Sequence, residues 1–397
     1  MLHPKYLFIA ILFLFVSCKD EKTETPKPTP EVPEKETATP VKATFPDALF
    51  TEVSKVRTGA VSLTILDQLI GLVNATPEGE TIHLNVFLFD YKPLVESIKK
   101  ASSRGVKVHV MMDLGREESH EINPLIYHDL KRTLEVKGGS AVSVINDAST
   151  TAINHHKYVL FTKVVTTNGT VPNVVFQTSH NFTEADARKF QDAVMFSNVG
   201  LYNAFKANWE DMKTKATAGM KNFYYNEYTD QATDITAYFL PKRRNGSAYG
   251  DDSIIEFLNS IENPATATIK IGMSDWTNTR LNIVQKLAEL RGQGATIEVV
   301  VKNKIDDNIM TGLRELEKNG AYLKVYNMSA ANIHSKFLLI EGNWKGSGNA
   351  KILITGSHNF TQNALRNNNE VMLLLKNHAL FAKYNTHFEN LKTVPGI

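Results

Sequence analysis

Two similar strings of residues, one in each half of this 397-residue chain, limit what it can fold into more than any other feature. Each string has a His-x-Lys triplet in an apolar run, then Ser-His-Asn-Phe-Thr, then an acidic residue. Histidine and asparagine are 26 residues apart in the first string (155 to 181) and 25 in the second (334 to 359). Each serine precedes its acid by 13 (179 to 192 and 357 to 370). Two such strings at matched spacing indicate an internal duplication. The residues are His155, Lys157, Ser179, Asn181 and Asp192, and then His334, Lys336, Ser357, Asn359 and Glu370.

The sequence around the strings predicts the same order of strands and helices twice. In the first half we expect strands over 81–89, 106–111 and 142–145 and helices over 93–103 and 123–134. In the second half we expect strands over 268–273, 296–301 and 323–326 and helices over 280–290 and 307–318. Strands that alternate with helices of this length favour mostly parallel sheets covered by helices. The prediction is an α/β fold of two homologous α/β/α halves, each a mostly parallel mixed sheet flanked by helices, over residues 45–228 and 229–397.

The motif residues suit phosphoryl transfer. Residues two apart on a strand point to the same face, so His155 and Lys157 project together, as do His334 and Lys336. Two lysines and two asparagines could bind the non-bridging oxygens of a phosphodiester. One histidine could attack phosphorus while the other protonates the leaving oxygen, and an acid beyond each serine could fix a histidine tautomer. The histidines could also bind a metal ion. The ammonium groups of the two lysines argue against this, because they would repel a cation.

This double pattern resembles the phospholipase D superfamily, with its repeated His-x-Lys motif and downstream Gly-Ser-x-Asn, from about Val53 to Leu391. The resemblance implies two halves about a pseudo-twofold axis, with both motifs meeting at one site that needs no metal and no cofactor, and a monomer. It implies that His155 is the nucleophile, forming a phosphohistidine, and that His334 is the general acid, although these two roles could be reversed. It also implies phosphate ligands (Lys157, Lys336, Asn181 and Asn359), supporting hydrogen-bond donors that help bind substrate (Ser179 and Ser357) and acids that orient the histidines (Asp192 and Glu370).

The sequence departs from the family pattern at three positions. Thr162 and Glu341 replace the family's aspartate five positions beyond each motif lysine, and Thr178 stands where the second half has Gly356. The loss of these aspartates puts the local support of the strands in doubt more than the catalytic chemistry. A side chain at position 178 could leave less room for a close approach of the backbone on that side of the site. We expect the segments 114–121 and 163–173 to shape the entrance of the site.

The first residues of the chain predict how it is held in the cell. The apolar run Tyr6–Val16 is too short to span a hydrocarbon core of about 30 Å, and it suits a signal peptide. Phe15–Cys18 resembles the lipobox of bacterial lipoproteins, in which the cysteine is lipidated; an unmodified cysteine in an ordinary signal or anchor segment is the alternative. Cys18 is the single cysteine of the chain, so its lipidation leaves none for a disulfide, a thiolate nucleophile or a zinc site.

Composition predicts a tether after this cysteine. Residues 19–44 are mostly Lys, Glu, Thr and Pro, which bury too little apolar surface to fold, so we expect an extended, disordered segment. Lys19-Asp20-Glu21 resembles the short charged signal that directs some lipoproteins to the outer cell surface. We therefore expect a signal peptide over 1–18, a tether over 19–44, and a lipid-anchored protein of the bacterial cell envelope, exposed on the outer membrane if that signal acts.

Three functions agree with the sequence. The first is hydrolysis or head-group exchange of a phosphodiester in a phospholipid, with the anchor holding the enzyme beside its substrate. The second is an extracellular nuclease of the same superfamily, for which a net charge of +2 provides no strongly basic stripe. The third is a non-catalytic phosphate- or lipid-binding lipoprotein, which the retention of both histidines, both lysines and both asparagines disfavours.

Overall fold

The computed structural model describes residues 41–114, 122–243 and 251–397. Residues from Pro40 to Ile397 form one compact unit that contains both motifs. The predicted signal peptide, Cys18 and the tether as far as residue 40 lie outside the described residues, as does the segment 115–121 expected at the entrance. None of the helices within the described ranges combines the length and the apolar character that a bilayer crossing requires.

A seven-stranded mixed sheet supports the first half. Its strands are β1 (Ala48–Phe50), β2 (Thr81–Val86), β3 (Lys107–Asp113), β4 (Ser140–Val144), β5 (Lys157–Thr166), β6 (Gly169–Thr178) and β7 (Asp192–Ser197). They are ordered β1-β7-β6-β5-β2-β3-β4 across the sheet. The neighbours β2, β3 and β4 are parallel, and the other neighbours are antiparallel. The first motif therefore enters the sheet at β5, beside the parallel part.

An eight-stranded mixed sheet supports the second half in the same way. Its strands are β8 (Asn226–Asp230), β9 (Ile235–Leu240), β10 (Thr268–Met273), β11 (Thr296–Lys302), β12 (Tyr322–Tyr326), β13 (Lys336–Trp344), β14 (Ser347–Gly356) and β15 (Glu370–Lys376). Their order is β12-β11-β10-β13-β14-β15-β9-β8. Only β10, β11 and β12 are parallel, and β13 takes the place that β5 has in the first sheet. The order of the second sheet thus repeats that of the first.

The helices form three layers around the two sheets. They are α1 (Val53–Val56), α2 (Thr64–Asn74), α3 (Lys92–Ser103), α4 (Ile122–Glu135), α5 (Val199–Thr217), α6 (Ser253–Asn259), α7 (Leu281–Gly292), α8 (Asp307–Lys318) and α9 (Leu380–Lys392). The apolar sides of α2, α3 and α4 pack on one face of the first sheet. Those of α6, α7 and α8 pack on one face of the second sheet. Helices α5 and α9 share a single apolar cluster with strands of both sheets, so they lie in the central layer.

The α/β class with two mixed sheets flanked by helices is confirmed, and the expectation of mostly parallel sheets is corrected. Each motif strand returns through a hairpin with a two-residue turn, after Thr166 and after Trp344, and hairpins pair their strands antiparallel. The expectation that 163–173 shapes the entrance is wrong for the same reason. That stretch is the turn end of the β5–β6 hairpin, at the opposite end of β5 from Lys157.

Candidate active site

Both His-x-Lys triplets lie where the parallel strands end. Lys157 is the first residue of β5 and pairs with Val86, the last residue of β2. Lys336 is the first residue of β13 and pairs with Met273, the last residue of β10. Each histidine precedes its strand by two residues. The two triplets therefore occupy equivalent positions at the same edge of their sheets.

Each triplet is held by the other half of the chain. The His155 backbone N–H donates to Asn369 O at 2.8 Å, next to a short parallel bridge between Asn154 and Asn369. In the same way the His334 N–H donates to Phe190 O at 2.9 Å, next to a parallel bridge between Phe190 and Ile333. Because these contacts are reciprocal, the two triplets face one another and neither half forms a site without the other.

A carboxylate from the second half contacts His155. His155 Nδ1 lies 2.8 and 2.9 Å from the two carboxyl oxygens of Glu370. Glu370 also accepts hydrogen bonds from Ser357 Oγ at 2.5 Å and from Asn368 Nδ2 at 3.1 Å. Burial raises the pKa of Glu370 to about 8, which the charge of Lys157 partly opposes. Burial and the two motif lysines hold the pKa of His155 well below its usual range. The contact fixes the His155 ring with Nε2 turned away from Glu370.

A neutral amide, not a carboxylate, contacts His334. His334 Nδ1 lies 3.0 Å from Gln191 Oε1 and 3.2 Å from the carbonyl oxygen of Ser179. The Ser179 hydroxyl donates to the same Gln191 oxygen at 3.0 Å. Sequence reasoning did not select Gln191, although it occupies the place for which Asp192 is predicted.

The predicted role of Asp192 is corrected by its contacts. Asp192 Oδ2 accepts hydrogen bonds at 2.8 Å from Thr355 Oγ1 and from Tyr384 OH, so this carboxylate lies behind the site. The strand register explains the error. Thr178 pairs with Ala193 and Gly356 with Met372. Gln191 lies two residues before Ala193, and Glu370 lies two residues before Met372. Gln191 is therefore the structural equivalent of Glu370.

The equal spacing of 13 residues comes from unequal turns. Before β7 the chain makes a 3₁₀ turn at Asp186–Arg188, whereas before β15 it makes a π-helical turn at Asn363–Asn367. A π turn has a longer hydrogen-bonded repeat than a 3₁₀ turn, so it accommodates an extra residue. The extra residue in the second half aligns Glu370 with Asp192 in the sequence, although the structure aligns it with Gln191.

The two motif lysines lie in the interior of the site. Lys157 is 1% exposed and Lys336 is 0% exposed. Lys157 Nζ donates to His155 O at 2.9 Å and lies 5.2 Å from the centre of the Phe87 ring. Lys336 Nζ donates to His334 O and lies 3.3 Å from His334 Nδ1. Burial lowers the pKa of Lys336 to about 8 and holds that of Lys157 well below its usual range, and each lysine further lowers the pKa of both histidines. A bound anion would offset this concentration of positive charge.

The predicted asparagines and serines lie at different depths. Asn181 is buried and Asn359 is half-buried, and among the described residues neither side-chain oxygen has a hydrogen-bond partner. Since an amide oxygen only accepts, a phosphate would have to bind the amide N–H groups, and Asn181 already donates to Asp186. The role of the two asparagines as phosphate ligands stays a prediction. Ser179 and Ser357 are fully buried and donate their hydroxyls to Gln191 and Glu370. The two serines therefore support the partners of the histidines, and a direct contact with substrate stays a prediction.

Three further histidines of the strings are packed in the interior. His156, His180 and His358 are each 0% exposed, and burial lowers the pKa of His156 and His358 to about 3 and that of His180 to about 4. They are therefore neutral, buried rings near neutral pH. Within the ranges that the structure describes, no group of three His, Cys, Asp or Glu side chains is placed to hold a metal ion.

The departures from the family pattern leave the site intact. Thr162 Oγ1 accepts from the Thr81 N–H at 2.8 Å and donates to Glu80 at 2.7 Å, so it supports the start of β2. Glu341 pairs with Thr268 at the start of β10 and is half-exposed beside Lys351. Thr162 and Glu341 therefore each lie seven residues along the chain from the histidine of their half, away from the site.

Gly356→Ala is expected to lower the free energy of unfolding by about 1–3 kcal/mol, because it overfills a packed position. A Cβ there would lie 2.2 Å from Val371 O and 3.0 Å from Met372 Cα. Thr178→Ala is the comparison in the first half, where it overfills nothing but removes two hydrogen bonds, one to Asp192 O at 2.6 Å and one from the His180 N–H at 3.0 Å. Urea unfolding of both variants measures the difference. Equal stability of Gly356→Ala and the wild type would contradict the close approach of the β15 backbone to Gly356.

Comparisons with known proteins agree with this geometry. A family model described as "Cardiolipin synthase, PLD-like domain" matches residues 70–211 and 257–392, one match for each half. The mitochondrial cardiolipin hydrolase of Chlamydomonas reinhardtii is 26% identical over 139 residues, which are 35% of this chain and 57% of that protein. The match therefore spans little more than half the length of that relative.

Two solved structures share the fold. The phosphatidylserine synthase of Haemophilus influenzae Rd KW20 superposes with a TM-score of 0.60 at 10% identity, covering 88% of this chain and 86% of that one. The polyphosphate kinase of Porphyromonas gingivalis superposes with a TM-score of 0.53 at 12% identity, covering 86% and 49%. At these identities the likeness concerns the fold alone. Because the family model matches both halves, each around one His-x-Lys triplet, the chain belongs to the phospholipase D superfamily.

Proposed function

We propose that the protein is a phosphodiesterase that works through a phosphohistidine intermediate without a metal. The observation that carries this proposal is the reciprocal placement of the two His-x-Lys triplets, each histidine fixed through Nδ1 by the other half of the chain. Two buried lysines belong to the same triplets, and the charge of each acts on both histidines. Such a cluster of cations can bind a phosphodiester anion and stabilise the charge that develops on its oxygens.

The proposed reaction has two steps. Nε2 of His155 attacks phosphorus, the bond from phosphorus to the leaving alcohol breaks, and that alcohol takes a proton from Nε2 of His334. Water then returns a proton to His334 and attacks phosphorus, which breaks the P–N bond and restores His155. Glu370 supports the assignment of His155, because its carboxyl group at Nδ1, with a pKa of about 8, can release its proton and balance the positive charge that the ring gains when Nε2 bonds to phosphorus.

We propose a phospholipid as the substrate. Support comes from the family description, which names cardiolipin synthase, and from the curated relative, which is a cardiolipin hydrolase. A membrane location agrees with this substrate, since the first eighteen residues resemble a lipoprotein signal.

The test of this function is turnover in excess EDTA on vesicles of cardiolipin, phosphatidylglycerol or phosphatidylcholine, with single-stranded DNA in parallel. We expect release of a lipid product and an acid-labile phosphoprotein after quenching with denaturant. His128→Ala, at an exposed position on α4, is a control expected to keep wild-type rates. Cleavage of DNA without lipid turnover would favour a nuclease, and no turnover on either substrate would favour a binding protein.

We further propose that Cys18 carries the lipid anchor. Mass spectrometry of the mature protein is expected to find an acylated N-terminal Cys18, whereas Cys18→Ser should keep residues 1–17 and carry no acyl group. Proteolysis of intact cells, expected to remove the wild-type protein, tests whether it is exposed at the outer surface. A mature chain that retains residues 1–17 with an unmodified cysteine would contradict the proposal.

A further inference from the structure

We propose that Gln191 is a positioning residue that keeps a proton on Nδ1 of His334 and, as a neutral partner, makes His334 the histidine that releases its Nε2 proton. This inference rests on the proposed phosphodiesterase function and concerns the same site. Its basis is a chemical difference between the half-sites, which pair one histidine with a carboxylate and the other with an amide.

The orientation of the Gln191 amide follows from its contacts. Its Nε2 donates to the carbonyl oxygen of Asp186 at 3.1 Å, and a carbonyl oxygen can only accept. Oε1 therefore faces the site, where it accepts from Ser179 Oγ at 3.0 Å and lies 3.0 Å from His334 Nδ1. Gln191 is 0% exposed, and its own N–H donates to Thr51 Oγ1 at 2.9 Å, so the side chain has little room to reorient.

The protonation of His334 follows from this orientation. Gln191 Oε1 and Ser179 O, at 3.0 and 3.2 Å from Nδ1, are both acceptors. The donor Lys336 Nζ lies farther from Nδ1, at 3.3 Å, and donates to His334 O, so the two acceptors favour a proton on Nδ1. Neutral His334 then carries its proton on Nδ1 and has a free lone pair on Nε2. The charged form holds a second proton on Nε2, which is the one available to a leaving oxygen.

The charges that act on His334 differ from those on His155, where Asp275 and Asp186 partly offset the two motif lysines. Burial is the largest cause that lowers the pKa of His334. Four cations from separate elements lower it further: Lys336 on β13, Lys189 after the 3₁₀ turn, Lys157 on β5 and Lys302 at the end of β11. Acidic neighbours are engaged with some of these cations, Asp186 with Lys189 and Asp275 with Lys302. A carboxylate at position 191 would stabilise the imidazolium against this field, whereas an amide carries no net charge.

Gln191→Glu gives the sharpest test, because it copies the partner found in the other half-site. A carboxylate beside Nδ1 favours protonated His334, so the alkaline limb of the kcat/KM profile should move up by about one pH unit, within the range for a charged neighbour. Gln191→Met removes the acceptor at similar volume and should lower kcat about 10- to 100-fold, while KM changes less than about threefold. A purely structural role would not move the alkaline limb.

A second readout does not depend on turnover. Long-range ¹H–¹⁵N spectra of the full chain in non-ionic detergent, with His334 assigned from the signal missing in His334→Asn, report the tautomer and the titration of that ring. We expect Nδ1–H in the wild type and a higher titration midpoint in Gln191→Glu. An Nε2–H tautomer, or an unchanged midpoint in Gln191→Glu, would overturn the inference even if the enzyme is active. If the wild type turns over no phosphodiester, the proposed function fails, and these spectra still decide the role of Gln191.

Discussion

His155→Ala is expected to lose turnover by about 10,000-fold or more and to form no phosphoenzyme, because it removes the proposed nucleophile. His334→Ala should behave differently on a p-nitrophenyl phosphodiester. Its leaving group needs little protonation, so the first step should still release about one equivalent of nitrophenol per site. The second step should then be slow, because no group deprotonates the attacking water. Stopped-flow absorbance and trapping of labelled phosphoprotein measure both steps.

The contrast between these two variants assigns the roles. A burst in His155→Ala and none in His334→Ala would reverse the assignment, and bursts in both would remove histidine from the covalent step. Circular dichroism and thermal unfolding check that each variant folds. His128→Ala is again the matched control, since this histidine is exposed on the surface of α4.

Local sequence pattern was sufficient to predict most of the fold. Leu94, Val95, Ile98 and Ala101 recur at helical spacing, and all four are buried on one side of α3. The helix predicted over 307–318 has the observed bounds of α8. These predictions hold because each depends on residues within one element. The antiparallel hairpins after Thr166 and Trp344 were not predicted, although Asn168-Gly169 and Lys345-Gly346 are turn signals in the sequence, with Gly169, Lys345 and Gly346 at positive φ.

The placement of the motif residues was predictable for a second reason. A triplet at the start of a strand has its direction fixed by the alternation of that strand, so His and Lys reach the site together. Ser179 and Ser357 were more deeply buried than a substrate-binding role implies, since each donates to the partner of a histidine. How deeply a side chain is buried behind the site depends on tertiary packing, which cannot be read from the spacing of residues in the sequence.

Gln191 shows where reasoning from spacing fails. Asp192 and Glu370 match in chemistry and in distance from their serines, yet a 3₁₀ turn precedes one and a π turn precedes the other. A shift of one residue in a strand moves every side chain to the opposite face. Asp192 therefore points to Thr355 and Tyr384 instead of a histidine. Comparing the pairing of β6 with β7 and of β14 with β15 would have identified Gln191.

Lys336→Met is expected to lower kcat/KM about 100- to 1,000-fold and to make the protein more stable at neutral pH. The catalytic loss follows from removing a cation that stabilises charge on the transferred phosphoryl group. The gain in stability follows from burial, which lowers the pKa of Lys336 to about 8, while an unfolded lysine titrates near 10.4. Below pH 8 the wild type holds an ammonium group in the interior at a cost of about 1–3 kcal/mol, at about 1.4 kcal/mol for each pKa unit.

The pH dependence of this gain gives its sign and its test. A base whose pKa is lowered by folding destabilises the folded state below that pKa, and the cost disappears as pH rises from about 8 towards the unfolded value. Lys336→Met should therefore exceed the wild type in free energy of unfolding at pH 7, and the difference should shrink by pH 10. Urea unfolding at both pH values measures this, with Lys351→Met, at a half-exposed position on β14, as the control expected to change neither stability nor activity. A difference that is absent at pH 7, or that does not vary with pH, would show that the ammonium group of Lys336 is compensated in the folded protein. The site would then need no bound anion to offset the positive charge of its lysines.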